Sequence, residues 1–486
     1  MPSANSVTSK MEDTKQIEAL QSLAEVVKVR RGAQAAQRLA SIRVPPGAYL
    51  AAASLLTFSA ALMLRAGNDF WALLIVVATW LLVPILAATD RIVFDGKRLT
   101  RRGIAPFLVQ LFFGRDWQLS LPDFETVETS AVRTLRRGGT VRYRYRSQIT
   151  GRGIHFAFAS GGKSYRRMVR TLFPLVHEDK MDSRSRDLRD YLVEPRSLDQ
   201  KAKLSQLAPA NVLAAAATDF KLRGHGNRES ESLSQTASVS RFEKANLLRR
   251  LANELRVAGR LAEASEAFRR ALNVIPREAW LIYDFARLLR SQASANSDAR
   301  LLSRARAALH LASIRAGKDA ALLALIGEST LECGDVKRAQ KVFQKAIDAD
   351  NRNLKARFGL ADVALREGKL AHVIHHHRDA AFVAVEKALA LYARREADYY
   401  ARLNDDDEYL AAELRRINLL QHVTRVRRLA AVGTNAGILL ALSGGYFDPT
   451  FSGTGWSLAS SALIAWLSTL VATRFLTARR KPRLVE

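Results

Sequence analysis

The chain has 486 residues and carries 75 Lys+Arg against 47 Asp+Glu, a net charge of +28. That excess favours acidic partners, whether anionic lipid, nucleic acid or acidic protein, and also marks the cytoplasmic side of membrane proteins. The single cysteine, Cys333, excludes an intramolecular disulfide, so no part of the chain requires an oxidising compartment.

Residues 1–44 read as a polar, cytoplasmic N-terminal segment with one amphipathic stretch, IEALQSLAEVVKV (17–29), which sets Ile17, Leu20, Leu23 and Val27 near one helix face. No apolar core follows a basic start, so a cleaved signal peptide is not expected. After Pro45 and Pro46 come two uncharged runs, GAYLAAASLLTFSAALML (47–64) and FWALLIVVATWLLVPILAAT (70–89), separated by RAGND. A crossing helix needs about 20 apolar residues, so 45–89 predicts a transmembrane hairpin, kinked at Pro84. The far end repeats the device. LAAVGTNAGILLALSGGYF (429–447) and WSLASSALIAWLSTLVAT (456–473) predict a second hairpin over 429–475, preceded by a connecting helix at 401–428 and followed by a basic tail, 476–486.

Every basic flank falls on one side of these runs: Arg30, Arg31, Arg38 and Arg43, then Arg91, Lys97, Arg98, Arg101 and Arg102, then RVRR (425–428) and RFLTARRKPR (474–483). The short connections hold only Arg65. The positive-inside rule then places both termini and all middle domains in the cytoplasm. With Ala/Arg-rich usage hinting at a bacterium, the expected location is a bacterial inner membrane, spanned several times.

Residues 90–180 change period. RIVFDGKRLTRRG reads as two strands across an Asp95-Gly96 turn, and WQLSLPDFETVETS, VRYRYRSQI and GIHFAFAS continue the alternation before SYRRMVRTLFPLV turns helical. RIVFDGKRLTRRG, SLPDFETVET and a late strand with a closing helix resemble the bacterial pleckstrin-homology-like domains that follow a transmembrane hairpin. The stretch holds 18 Lys+Arg and 8 Asp+Glu. Arg142, Arg144 and Arg146 alternate with aromatic residues and make one strand face cationic. Such a face suits anionic headgroups, at about 1 kcal/mol per basic residue near a membrane surface. Tethering to a membrane makes lipid the expected partner rather than nucleic acid. Residues 181–240, charged and then Ser/Glu-rich (RGHGNRESESLSQTASVS), predict a flexible linker.

Within 241–400 the pattern repeats. Gly259, Ala264, Phe268, Ala271 and Pro276 stand at the turn glycine, small, aromatic, small and terminal proline positions of the tetratricopeptide (TPR) repeat, which this stretch resembles. Gly334, Ala339, Phe343 and Ala346 repeat the spacing, and Gly368 with Ala380 begins a degenerate unit. Gly259 and Gly334 lie 75 residues apart, seven more than two periods of 34, and SQASANSDA (291–299) is the expected insertion. About four units are expected within 245–385. Stacked pairs bury what a single pair cannot. The resemblance implies a concave groove showing Asn246, Arg249, Asn253 and Arg256 from one unit and Trp280, Tyr283, Arg287 and Arg290 from the next. Arg249 with Asn253 resembles the start of a carboxylate clamp, although Asp284 and Ala321 stand where the rest of it would be. An acidic or extended peptide is the expected occupant.

Three further motifs bear on chemistry. AFASGGKS (157–164) satisfies a permissive phosphate-loop pattern. Its leading glycine is replaced by Ala157, and no later strand ends in a magnesium-binding Asp, so a Gly-Gly turn is the simpler reading. His372, His375 and His376 share a helix face, without a fixed acidic or Cys partner. Cys333, in LECGD, reads as a packed turn residue. No Ser/His/Asp order, carboxylate pair or metal cluster has the spacing of an enzyme. The expected fold is mainly α: a TPR-like array, a small β-rich pleckstrin-homology-like domain and two transmembrane helical hairpins. The expected role is a membrane-anchored adaptor or scaffold without cofactor or metal, of the kind that serves envelope assembly or export. The alternative is a nucleotide-dependent accessory enzyme or regulator using 157–164.

Overall fold

A computed structural model describes residues 40–113, 117–135, 141–160, 162–205, 235–447 and 449–478. The expected helix at 17–29, the middle of the expected linker and most of the basic tail lie outside the described residues. The chain divides into two compact units: Met1–Tyr49, Leu81–Val363 and His376–Arg394 form one, and Leu50–Trp80, Ala364–His375 and Arg395–Glu486 the other.

The first unit opens on a four-stranded antiparallel sheet in the order β1-β2-β3-β4, comprising β1 (Ala40–Arg43), β2 (Arg91–Phe94), β3 (Arg98–Arg102) and β4 (Gln118–Ser120). Gly96, at φ 93°, makes the β2–β3 turn, and the Asp95 carboxylate accepts from the backbone N–H of Lys97 and Arg98 at 3.0 and 2.7 Å. A three-stranded antiparallel sheet follows: β5 (Thr126–Leu135), β6 (Val141–Gly151) and β7 (Ile154–Ala159). Both sheets turn alternate residues into one core. Phe94, Leu99, Leu119, Phe124, Ile149, Phe156 and Phe158 pack there against Tyr165, Met168, Val169 and Leu172. These last four recur at helical spacing and form the inner face of helix α4 (Lys163–Leu172).

One boundary differs from the sequence reading. The sheet domain begins at β1, before the first apolar run, so α1 (Gly47–Arg65) and α2 (Asp69–Thr89) are an excursion between two paired strands. Four residues, ASIR, give too short an alternation to stand out beside forty apolar ones. Helix α3 (Ile104–Phe113) is a smaller insertion between β3 and β4.

A second difference lies in the expected linker. Its first part folds as α5 (Ser183–Tyr191) and α6 (Pro195–Leu204), both with buried residues. Asp182 caps α5 by accepting from Ser185 N–H at 2.9 Å.

The helical repeat array follows as consecutive pairs: α7 (Gln235–Ala258) with α8 (Leu261–Val274), α9 (Ala279–Asn296) with α10 (Ala299–Arg315), and α11 (Ala320–Glu332) with α12 (Val336–Ala349); α13 (Leu354–Arg366) and α14 (Leu370–Val383) come next in the chain. Ala264, Phe268, Ala271, Ala339, Phe343 and Ala346 are all buried in its core. Phe343 is wedged between α11 and α13, where a Cβ on Gly327 or Gly359 would lie 2.6 or 2.3 Å from its ring. Phe268 meets Phe285 edge-on at 6.1 Å. The extra residues around 291–299 lengthen helices rather than form a loop: α9 and α10 have 18 and 17 residues, α11 and α12 have 13 and 14. Cys333 is buried at the end of α11, and its carbonyl accepts from Arg306 Nε at 3.0 Å.

α15 (Lys387–Asp405) follows α14 in the chain. In the second unit α16 (Asp407–Phe447) runs unbroken from the expected connecting helix through the expected third crossing, with α17 (Pro449–Ala478) packed along it. Small residues set the approach. A Cβ on Gly437 would meet the Ala459 backbone at 2.6 Å, and one on Gly455 the Ala441 backbone at 2.3 Å. Asp69–Thr89 and Thr450–Thr473 are long and apolar enough to cross a membrane. The two expected hairpins are not both evident. In α1 the apolar stretch is only Gly47–Ala61, and α1 and α2 do not pack along one another.

Candidate functional site

Among the described residues, a cluster of buried charge lies where α5 meets the first helices of the repeats, within the first unit. α5 is SRSRDLRDY, a sequence that looks solvated yet buries Ser183, Ser185, Arg186, Asp187 and Leu188. Asp187 sits between two arginines from successive repeat units. Arg256 of α7 donates from Nη1 and Nη2 to its two carboxylate oxygens at 3.0 and 2.8 Å, and Arg287 of α9 donates from Nη2 at 2.6 Å. Burial alone would raise the Asp187 carboxyl, but Arg256 and Arg287 more than offset it and hold it at about 2. Arg287 is raised above its ordinary value because Asp187 outweighs its own burial.

The site extends on both sides. Asn253 Oδ1 accepts from Arg256 Nε at 3.2 Å and so fixes the guanidinium plane. Arg287 lies over the Tyr283 ring at 5.5 Å. Ser183 Oγ donates to Glu332 at 2.7 Å, and Glu332 also pairs with Arg290. Arg186 pairs with Glu328, whose carboxyl is held below its ordinary value by Arg186 and Lys355 against its burial. α6 adds Lys201, bound to Glu254 of α7 at 2.8 Å. On the other side of the seam, Tyr145 of β6 donates to the Val257 carbonyl at 2.8 Å, and Val141 N–H donates to the Gly259 carbonyl at 3.3 Å. The sheet domain and the repeat are therefore joined by strand, helix and ion pair.

The residues that the TPR resemblance places along a groove are here engaged within the chain. Asn253, Arg256, Tyr283 and Arg287 are buried, Arg249 donates to Asp284 at 2.6 Å and lies over Trp280 at 5.2 Å, and Trp280 Nε1 donates to Asp319 at 3.1 Å. Asp284, which stands where the clamp pattern breaks, is the partner that holds Arg249. Asn246 is half-buried on α7. The structure thus brings Arg256, Arg287 and Arg290 together around α5, a helix that lies within the expected linker. One signal could have found it: Asp182, Ser183 and Ser185 ahead of Leu188 make a helix start.

Arg142, Arg144 and Arg146 are exposed on β6, in register with Thr134, Val132 and Ser130 of β5, while Val141 is turned inward and Tyr143 and Tyr145 are partly buried. In the 157–164 loop, Ser160 closes onto Tyr145 through N–H···O bonds of 2.6 Å and, through its hydroxyl, 2.8 Å, and Lys163 opens α4 exposed to solvent. This is a strand-to-helix turn, with Gly161 outside the described residues. Within α14, His375, His376 and Asp379 offer ligand atoms within 4.8 Å of one another, though Asp379 already accepts from Arg357 at 2.7 Å.

No known family matches the sequence, and no curated protein matches it. Among solved structures, yeast Tom70 superposes over 52% of this chain and 53% of its own, at 15% identity and a TM-score of 0.29. The chain therefore spans about half the length of that neighbour. The class of protein that the fold itself defines is a helical-repeat protein with a small two-sheet domain docked on it.

Proposed function

We propose that this chain is a membrane-anchored adaptor whose TPR-like groove takes a helical or extended segment bearing a carboxylate. The observation that carries the reading is the seat of Asp187 between Arg256 and Arg287. Arg pairs of this geometry recognise carboxylate through parallel N–H donors. α5 occupies that seat as an internal ligand, and a partner with an acidic helix would compete for it. The two-sheet domain, with its 4+3 strands and closing helix, is proposed to be pleckstrin-homology-like, with Arg142, Arg144 and Arg146 facing acidic headgroups. α2 and α17 are proposed to cross a bacterial inner membrane, leaving the repeats in the cytoplasm.

The test is a photo-crosslinking residue at Trp280 in the full chain within intact membranes. The reading predicts an intermolecular product that increases in Asp187→Asn and is lost in Arg256→Glu/Arg287→Glu. A product confined to the chain itself in every variant would overturn the adaptor role. Release of the protein from membranes by carbonate, without detergent, would overturn the anchoring.

A further inference from the structure

Three of the chain's apolar helices attach at one end of the four-stranded sheet. β1 ends at Arg43 and leads into α1, α2 ends at Thr89 and leads into β2 at Arg91, and β3 ends at Arg102 and leads into α3. The register makes Arg43 the partner of Arg91, and Arg91 the partner of Arg102. In-register residues on neighbouring strands point to the same face, so three arginines stand in a row across the sheet at that end, and all three are exposed. Like charges directly opposite one another destabilise a sheet, and among the described residues none of the three has an acidic partner. Their neighbour Arg101 differs: it binds the buried Asp90 at 2.9 and 2.5 Å and lies over Trp117 at 5.1 Å, while Tyr49 donates to the same carboxylate at 2.6 Å. Asp90 thus fixes the roots of α1, α2 and β3 and leaves the outer row uncompensated.

α3 supplies the second half. Its ten residues, IAPFLVQLFF, include no charge, and Ile104, Phe107, Leu108, Leu111 and Phe112 are all exposed, Phe112 at 74%. A soluble surface rarely leaves such a patch open. The helix is pinned beside the end of α2: Gly103, at φ 151°, has its Cα so close to the Thr89 carbonyl that a Cβ would lie 2.8 Å from that oxygen.

We infer that α3 lies in the interface of an anionic phospholipid bilayer, with the Arg43–Arg91–Arg102 row on the headgroups above it. Charge complementarity selects the anionic surface, and continuity with the crossing helix α2 selects the bilayer over a protein. Buried apolar area and the attraction of basic residues to anionic lipid are the two contributions that hold a segment in a bilayer interface, and here α3 supplies the first and the arginine row the second. The inference rests on the proposal that α2 crosses the membrane. It supplies a lipid contact separate from Arg142, Arg144 and Arg146.

The test uses the full-length Cys333→Ala chain in nanodiscs of phosphatidylcholine with or without phosphatidylglycerol. Nitroxides are placed at Ile85→Cys on α2 and Phe112→Cys on α3. The expected result is that both labels relax with oxygen more than with a water-soluble nickel chelate, with position 112 shallower than 85. Arg43→Glu/Arg91→Glu/Arg102→Glu should leave position 85 unchanged and reduce co-purifying phosphatidylglycerol by about fivefold per arginine. Position 112 exposed to the nickel chelate, or shielded from both reagents by protein, with 85 still in lipid, overturns this inference alone, as does unchanged phosphatidylglycerol retention. Position 85 in water overturns the crossing of α2 and this inference with it.

Discussion

Asp187 and Arg287 are 100 residues apart in sequence and joined by a 2.6 Å hydrogen bond in the fold. With Arg256 they form a carboxylate between two guanidiniums that are themselves buried. Removing the carboxylate leaves two buried cations without their counter-charge, and breaking such a pair costs about 3–5 kcal/mol. Asp187→Asn is therefore expected to loosen α5 before anything else. Hydrogen exchange should show faster exchange at the amides of α5 and α6, with α10 and α12 unchanged.

Two carboxyls, Asp182 at the N-cap of α5 and Asp187 in its middle, respond to pH with opposite signs. Asp187 is lowered to about 2 in the fold, against about 3.9 when unfolded. Its contribution is fully present above about pH 4 and is lost as pH falls towards 2. Asp182 is raised to about 6, first by burial and despite the Ser185 and Thr129 N–H donors. Its native form favours the proton, so stability falls as pH rises from about 4 to 6. Urea midpoints across pH 3–7 should show a shallow decline above pH 4, abolished in Asp182→Asn, and a steep loss below it, reduced in Asp187→Asn.

Gly259 has a left-handed φ of 86°, and a Cβ there would sit 1.9 Å from the Val141 carbonyl oxygen. Gly317 has φ 57° and open space. Gly317→Ala should cost about 1 kcal/mol through backbone strain alone. Gly259→Ala should cost about 3 kcal/mol or more, because strand β6 must also move. Denaturant titration of the two variants checks the difference.

Phe343 fills the space left by two glycines, Gly327 and Gly359. Gly359→Ala overpacks that contact and should cost about 1–3 kcal/mol. A smaller ring-free side chain should relieve it, so the double variant Gly359→Ala/Phe343→Leu should be less destabilised than the sum of the single changes. A double-mutant cycle on urea midpoints measures this.

What could be read in the sequence was what depends on local spacing. Ala264, Phe268 and Ala271 announce a repeat because neighbouring helices need small and aromatic residues at fixed offsets. Asp95-Gly96 announces a turn because glycine accepts φ 93° there. The long apolar runs stand out by length alone. The seam did not announce itself. SRSRDLRDY reads as a charged, solvated helix, and only partners 69 to 142 residues away make Arg186 and Asp187 interior. β1 was hidden because its partner strand follows two intervening apolar helices. Asp284 breaks the expected clamp in the sequence, and only the fold shows that it takes Arg249 instead.

The central claim is that the Arg256–Arg287 seat binds an acid-bearing helix and that α5 holds it from within. The most direct measurement is binding of a fluorescent peptide with the chain's own sequence 181–193 to full-length protein in nanodiscs. The peptide should fail to bind the native chain, bind Asp187→Asn while the repeat helices keep their exchange protection, and fail again when Arg256→Glu and Arg287→Glu are added. Equal binding to all three, or no binding to Asp187→Asn with α5 shown to be displaced, would contradict it.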